Sequence, residues 1–364
     1  MKKAFYCIIA ILAASTLLAQ TPKLYEVPFP KPLKTAPDTV CVRIIGDIMM
    51  HAKQLPYNYD TFLELVASPL EEADIAVGNM EFPMGGEPYT GYPAFSCPDS
   101  YAWTLARQCG FDLFLMANNH ILDRRTAGLS RTFKIYDSIQ DSLGTRFTGA
   151  SRNSVENEEN FPSILVRKGV AIAFINFTYG TNADAPSEPW PKVNRMKEED
   201  IDGAFRRAKE AGADFIVALP HWGNEYQLKH SHEQEQWAKK LVEKGADAIV
   251  GAHPHVVQDT THIAGVPVIY SMGNAVSNMS ATNTRLELMV TLRFVHDNAT
   301  GQKRMLEPEV EFMWCTLPGK LRDTYSTILV KDWTTRRSEW SNPEDFDNMM
   351  QTYRRVKSAT GIED

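Results

Sequence analysis

Short apolar runs recur along the chain, and each stops abruptly at polar residues. Val40-Cys41-Val42-Arg43-Ile44-Ile45 is largely β-branched and ends at Gly46-Asp47, which predicts a buried strand followed by a loop. Residues 74–77, 111–116, 170–177, 213–219, 246–250 and 266–270 read in the same way. Between these runs, residues 59–72, 100–109, 126–142, 198–211 and 233–243 space their apolar positions for helices. The last two helices stop at Gly212 and Gly245, as C-terminal capping requires. Continuous apolar strands alternating with amphipathic helices predict an α/β domain whose sheet is covered on both faces. After Tyr270 the pattern changes. Residues 285–296 and parts of 307–314 alternate polar and apolar side chains, which predicts antiparallel edge strands. One domain over 39–330 with a mixed, two-sheet core is the economical reading, and residues 331–364 read as a helical extension with its helix at 340–357.

The N-terminal residues add an expectation about location. Lys2 and Lys3 precede an apolar stretch over 4–18, and Ala19-Gln20 reads as a cleavage site, so residues 1–19 are an expected signal peptide. An uncleaved membrane anchor is the alternative, and the stretch is short for a bilayer span. The mature protein is then expected in the periplasm or at the cell surface. Residues 20–38, rich in Pro and Lys, read as an extended lead-in, with order beginning at Thr39. Loss of Lys2 and Lys3 takes the formal charge from -7 to -9. With no basic stripe, that acidity argues against nucleic acid as a partner. Cys41, Cys97, Cys109 and Cys315 show no zinc-type or redox spacing. A Cys97–Cys109 disulfide and burial as small hydrophobes both remain open.

The chemistry collects where the strands end. Asp47, Glu81, Asn119, His221, His253 and His255 each follow a predicted strand, and loops leaving the carboxyl ends of strands build sites in open α/β folds. The run Gly251-Ala252-His253-Pro254-His255 places two imidazoles one residue apart, so both rings can be aimed at a shared point. A single Asp after a strand is most often a cap, and a lone His at a loop mouth is usually structural. Six such positions in series point instead to a metal site. Carboxylate, amide and imidazole together suit Mn, Fe or Zn better than Ca. The carboxylate of Glu81 has two oxygens and can bridge two ions.

The ordered set Gly46-Asp47, Gly78-Asn79-Met80-Glu81, Asn118-Asn119-His120 with Asp123, His221-Trp222-Gly223 with Glu225-Tyr226, Gly251-Ala252-His253-Pro254-His255 and Ser271-Met272-Gly273-Asn274 resembles the bacterial CapA family. Those are capsule-synthesis proteins associated with poly-γ-glutamate, and the likeness runs from about Val40 to Ala275. The family in turn looks like a branch of the calcineurin-like metallophosphoesterases. The resemblance implies a four-layer αββα sandwich with mixed β-sheets. It also implies one ion on Asp47, Glu81 and His255, and a second on Glu81, Asn119, His221 and His253. His120 would protonate the leaving oxygen, with Asp123 orienting its imidazole. One departure is plain: Met49 stands where such enzymes carry a histidine two residues after the first aspartate, and His51, four residues after Asp47, is a candidate substitute that would leave the backbone in a different direction.

Trp222 and Tyr226 either line a substrate groove or pack the loop. Glu225 and Arg124 are further candidates for contact with substrate, and Ser271 and Asn274 for shaping the pocket. Two functions follow from the resemblance. One is an exported metal-dependent hydrolase with one or two divalent ions, acting on an anionic polymer or ester. The other is a non-catalytic polymer-binding component of a capsule-synthesis complex at the membrane.

Overall fold

The computed structural model describes residues 22–27, 38–184, 189–297 and 299–364. The expected signal peptide and most of the lead-in lie outside these residues. No described helix is long and apolar enough to cross a membrane.

Two mixed sheets lie at the centre. One has seven strands, in the order Leu24–Glu26, Ser163–Arg167, Val170–Thr178, Phe215–His221, Ala248–Val250, Val266–Ile269 and Thr260–Ile263. The main path of the other runs Ser326–Leu329, Glu309–Thr316, Leu286–His296, Thr39–Ile48, Ile75–Met80, Leu113–Leu115 and Arg146–Thr148. Two short strands, Asn274–Val276 and Lys303–Met305, flank that path.

Alternation along each strand sorts the side chains into layers. Val40, Val42, Ile44 and Val77 face Ile172, Phe174, Val217 and Leu219, forming the core between the sheets. Ala76, Met80 and Phe114 point the other way, onto Val66, Tyr101, Leu105 and Phe133 of helices Glu64–Glu72, Asp99–Gln108 and Arg125–Leu143. Ala173, Ile175, Ile216 and Ala218 pack under Ile201, Phe205, Ala238 and Leu241 of helices Glu198–Glu210 and His232–Lys244. The layer order is therefore αββα.

Three expectations are amended, and one open alternative is decided. Leu24–Glu26 pairs in parallel with Ser163–Arg167, so strand structure begins upstream of Thr39. The helix expected over 59–72 is two pieces, Tyr59–Thr61 and Glu64–Glu72. Leu286–His296 is an interior strand rather than an edge, antiparallel to both Thr39–Ile48 and Glu309–Thr316. Cys97 and Cys109 are buried free thiols, as are Cys41 and Cys315.

The helix Pro343–Thr360 joins the core through Phe346, Met349 and Val356. Its anchor is a buried bidentate pair: Arg285 donates to both carboxylate oxygens of Asp345 at 2.7 Å. The Arg285 Nε also donates to the Cys315 carbonyl at 2.9 Å, and its guanidinium lies 4.4 Å from the centre of the Trp314 ring. Removing one partner strands the other charge out of water. Asp345→Ala should therefore lower unfolding free energy by about 3–5 kcal/mol in urea melts, whereas loss of a surface pair such as Arg206–Glu210 should cost under about 1 kcal/mol.

Candidate metal centre

The site lies at the carboxyl ends of parallel strands drawn from both sheets. Asp47 sits near the end of Thr39–Ile48, where the register against Ile75–Met80 shifts between Ile45 and Asp47. Close backbone approach accompanies that shift, since a Cβ on Gly46 would lie 2.4 Å from the Gly273 carbonyl oxygen. Asp47 N–H donates to this same oxygen at 3.0 Å, and Glu81 N–H donates to Ile48 O at 3.0 Å. His221 closes the strand Phe215–His221 of the other sheet. His253 and His255 follow Ala248–Val250 in a loop where both have left-handed backbone, with φ 99° and 58°. Such conformations are costly for non-glycine residues and mark a backbone held in place by its surroundings.

The structure brings all six expected ligands together. Oxygens of Asp47 and Glu81 with a nitrogen of His255 lie within 4.8 Å of one another, and so do ligand atoms of Glu81, His221 and His253. Asn119 Oδ1 is 2.7 Å from His221 Nε2, and His221 Nε2 is 3.6 Å from Glu81 Oε1. His255 Nδ1 lies 3.2 Å from Asp47 Oδ2 and 2.8 Å from Asn274 Oδ1. Asp47, Glu81 and the three imidazoles are all buried.

This packing is unfavourable without a cation. Both oxygens of Glu81 are buried with no hydrogen-bond partner, and His253 Nδ1 is similarly orphaned. Burial pushes the Glu81 carboxyl well above its usual range, and the adjacent Asp47 pushes it further. Burial drives His221 well below 6.5 and His253 down to about 3, with neighbouring imidazoles adding to both. Burial would also lower His255, but the carboxylates of Glu81 and Asp47 prevail and raise it to about 10. Imidazole nitrogens around a buried carboxylate that no hydrogen bond satisfies form a donor set that fits a divalent ion, which would take the place of the proton His255 otherwise holds.

Beside this cluster, His120 Nδ1 lies 2.7 Å from Asp123 Oδ2, and both side chains are buried. Asp123 also accepts from Phe95 N–H at 2.8 Å, and the His120 ring meets the Phe95 ring edge-on at 4.6 Å. Asn118 secures the turn, donating to Met80 O at 2.8 Å and accepting from His120 N–H at 3.1 Å.

The candidate substrate contacts separate. Trp222 is fully buried, stacks on Tyr270 and donates to its carbonyl at 2.9 Å. It packs the loop and does not line a groove. Arg124 donates to Pro88 O at 3.2 Å and covers Gly85 and Gly128, so it braces a neighbouring loop. Tyr226 is half exposed and, with His51, Tyr92 and Met279, lines a cavity of about 360 Å³. His51 falls outside the ligand groups found among the described residues, and its Nδ1 accepts from Asn278 N–H at 3.2 Å. Met49 is buried in the outer core.

Sequence reasoning gave no role to Asn79 or Glu287. The Asn79 amide donates to Asp47 Oδ1 at 2.6 Å and lies 3.3 Å from His221 Nδ1, so it orients residues of both ligand sets. Glu287 is fully buried behind Asp47 and accepts from Gly46 N–H. Asn79 belongs to an outcrop visible in sequence. Glu287 had no such signal, because it falls on a polar position of an alternating strand.

Layer order and the ligand-bearing strand ends define a four-layer αββα protein with a candidate metal centre at the carboxyl ends of strands from both sheets. The family model for bacterial capsule synthesis protein PGA_cap matches residues 42–279, and the chain belongs to that family. Capsule biosynthesis protein CapA of Bacillus anthracis is 29% identical over 280 residues, covering 72% of this chain and 66% of that protein. The chain thus spans just under two thirds of that relative's length. PGA biosynthesis protein CapA of Bacillus subtilis (strain 168) is 26% identical over 286 residues, covering 75% and 72%. Among solved structures, a 5'-nucleotidase precursor from Thermus thermophilus superposes with a TM-score of 0.46 at 13% identity, covering 88% of this chain and 59% of that one.

Burial holds His51 neutral, moving it from 6.5 down to about 4, with His255 and His120 facing it. The unfolded chain then binds more protons between those values, so stability falls as pH drops from 6.5 towards 4. His51 alone should account for about 3 kcal/mol of that loss. Urea melts at pH 7 and pH 4.5 should show a smaller acid-induced loss in His51→Gln than in the wild type.

Proposed function

We propose that this chain is an exported, metal-dependent hydrolase of capsule-polymer metabolism, acting on an ester or amide bond of an anionic polymer or its precursor. Membership of the capsule-synthesis family sets the biological context. The observation that carries the catalytic part is the His120–Asp123 pair beside the ligand cluster. A site that only binds carboxylates has no use for a proton donor fixed in this way.

Asp47, Glu81 and His255 would hold one divalent ion, and Glu81, Asn119, His221 and His253 a second. Ions bound there supply electrophilic polarisation and lower the pKa of water. The protein's own groups do the rest. Asp123 fixes the Nδ1 side of His120, leaving Nε2 to deliver a proton to the departing oxygen or nitrogen. Asn79 holds Asp47 and Asn274 holds His255, so neither ligand is free to rotate away. Phe95 shields the His120 ring, and the buried floor keeps bulk water from the proton being moved.

A second reading, a non-catalytic polymer binder in a membrane-bound capsule complex, draws on Met49. Its thioether is buried among hydrophobic side chains, which leaves the first ligand set one donor short. Two variants separate the readings. His120→Ala should lower turnover of bis-p-nitrophenyl phosphate or γ-glutamyl peptides by about 10²–10⁴-fold while metal per chain stays unchanged. His253→Ala should lose metal and turnover together. Wild-type protein that holds metal yet turns over neither substrate class would favour the binding role.

A further inference from the structure

Glu225 belongs to neither buried ligand set. It lies in the loop after His221, at the open side of the centre, and its side chain is exposed. On the metal-centre reading above, we infer that Glu225 is a third carboxylate ligand, supplied from the solvent side across the imidazoles of His253 and His255.

Three observations converge on this role. A Glu225 oxygen and one ring nitrogen each from His253 and His255 lie within 4.8 Å of one another. Ordinary metal–ligand bonds of about 2.0–2.2 Å span such a group. His253 is 3% exposed, and its Nδ1 has no hydrogen-bond partner, so one of the two imidazoles offers an unsatisfied nitrogen. The backbone is also built to hold the contact. Tyr226 has φ 66°, left-handed like His253 and His255, and its N–H donates to Pro254 O at 2.9 Å. That single bond clamps the Glu225 loop onto the segment carrying both imidazoles.

The chemistry supplies the reason. Asp47 and Glu81 bring two negative charges to a centre that two divalent ions would enter with four. Met49 contributes no donor, because it is buried away from the cluster. A carboxylate at the mouth of a site for anionic substrates repels the ligand unless a cation lies between them. Glu225 as a direct substrate contact is therefore disfavoured, and Glu225 as a metal ligand removes the conflict.

Metal-free protein titrated with Mn²⁺ by calorimetry, with metal analysis after dialysis, tests the assignment. Glu225→Gln preserves shape and removes the charge, and Glu225→Ala removes the donor. Thermal melts of the metal-free variants, unchanged from wild type, establish that the exposed substitution leaves the fold intact. Each variant should bind at least one ion tenfold or more weakly, before any substrate is added. Unchanged stoichiometry and affinity in both variants, with loss of Mn²⁺ in His253→Ala, would overturn the role of Glu225 and leave the metal centre standing. Wild-type protein that binds no Mn²⁺, Zn²⁺ or Fe²⁺ would overturn both.

Discussion

The burial of Asp47 and Glu81 side by side is the constraint around which the rest of this molecule is arranged. Two carboxylates out of water repel each other, and Glu81 has no hydrogen bond to compensate its lost hydration. No hydrophobic core gains from such an arrangement. It persists because the sheets on either side are stable enough to impose it. The inter-sheet core of Val, Ile, Leu and Phe supplies that stability, and the site occupies one end of this core. Stability and function are thus separated in space: apolar strand interiors fold the protein, and polar strand ends carry the chemistry.

The geometry of the site follows from close backbone approach. Gly46 lets Thr39–Ile48 bend against Gly273, and Gly251 lets the imidazole-bearing loop pass the Tyr270 carbonyl, where a Cβ would come within 2.2 Å. Beyond Gly251, His253 and His255 take left-handed conformations that bulky residues avoid. The His253 N–H donates to Asp47 Oδ2 at 3.2 Å, so the strained loop is held by the carboxylate whose centre it completes. The loop and the strand Thr39–Ile48 come from different sheets, so this contact also couples the two sheets at the mouth of the site.

Much of this was legible in the sequence, for a simple reason. Buried parallel strands leave continuous apolar runs, so the places where polar residues interrupt them stand out, and Asp47, Glu81, Asn119, His221, His253 and His255 all fall there. The structure gathers these six residues into one cluster. The fold class was legible on the same grounds, from strands and helices alternating over 40–250. What escaped notice depends on facts that local pattern does not encode. Glu287 looks like the solvent-facing residue of an alternating strand, yet that strand lies inside the sheet and turns the carboxylate towards Gly46. Trp222 could line a groove or pack a loop on sequence alone, and only the position of Tyr270 decides for packing. The pairing of Leu24–Glu26 is a long-range event, made by a segment with no apolar run of its own.

The two ligand sets are unequal, and the inequality has consequences for how the centre fills. Glu81, Asn119, His221 and His253 offer four donors, three of them neutral, with the Asn119 carbonyl already 2.7 Å from His221. Asp47, Glu81 and His255 offer three, and the donor position two residues after Asp47 is surrendered to hydrophobic packing by Met49. His51 does not restore it, because it falls outside the ligand groups found among the described residues. An ion in the four-donor set needs nothing further from the protein, while one in the three-donor set must complete its sphere with solvent, substrate or a residue from the rim. The weaker position is also the one nearer Asn274, the cavity wall at Tyr226 and the imidazole that carries the most proton affinity. On the two-ion reading, the three-donor position therefore depends on what arrives from the rim, while the four-donor position is built wholly by the protein's own side chains.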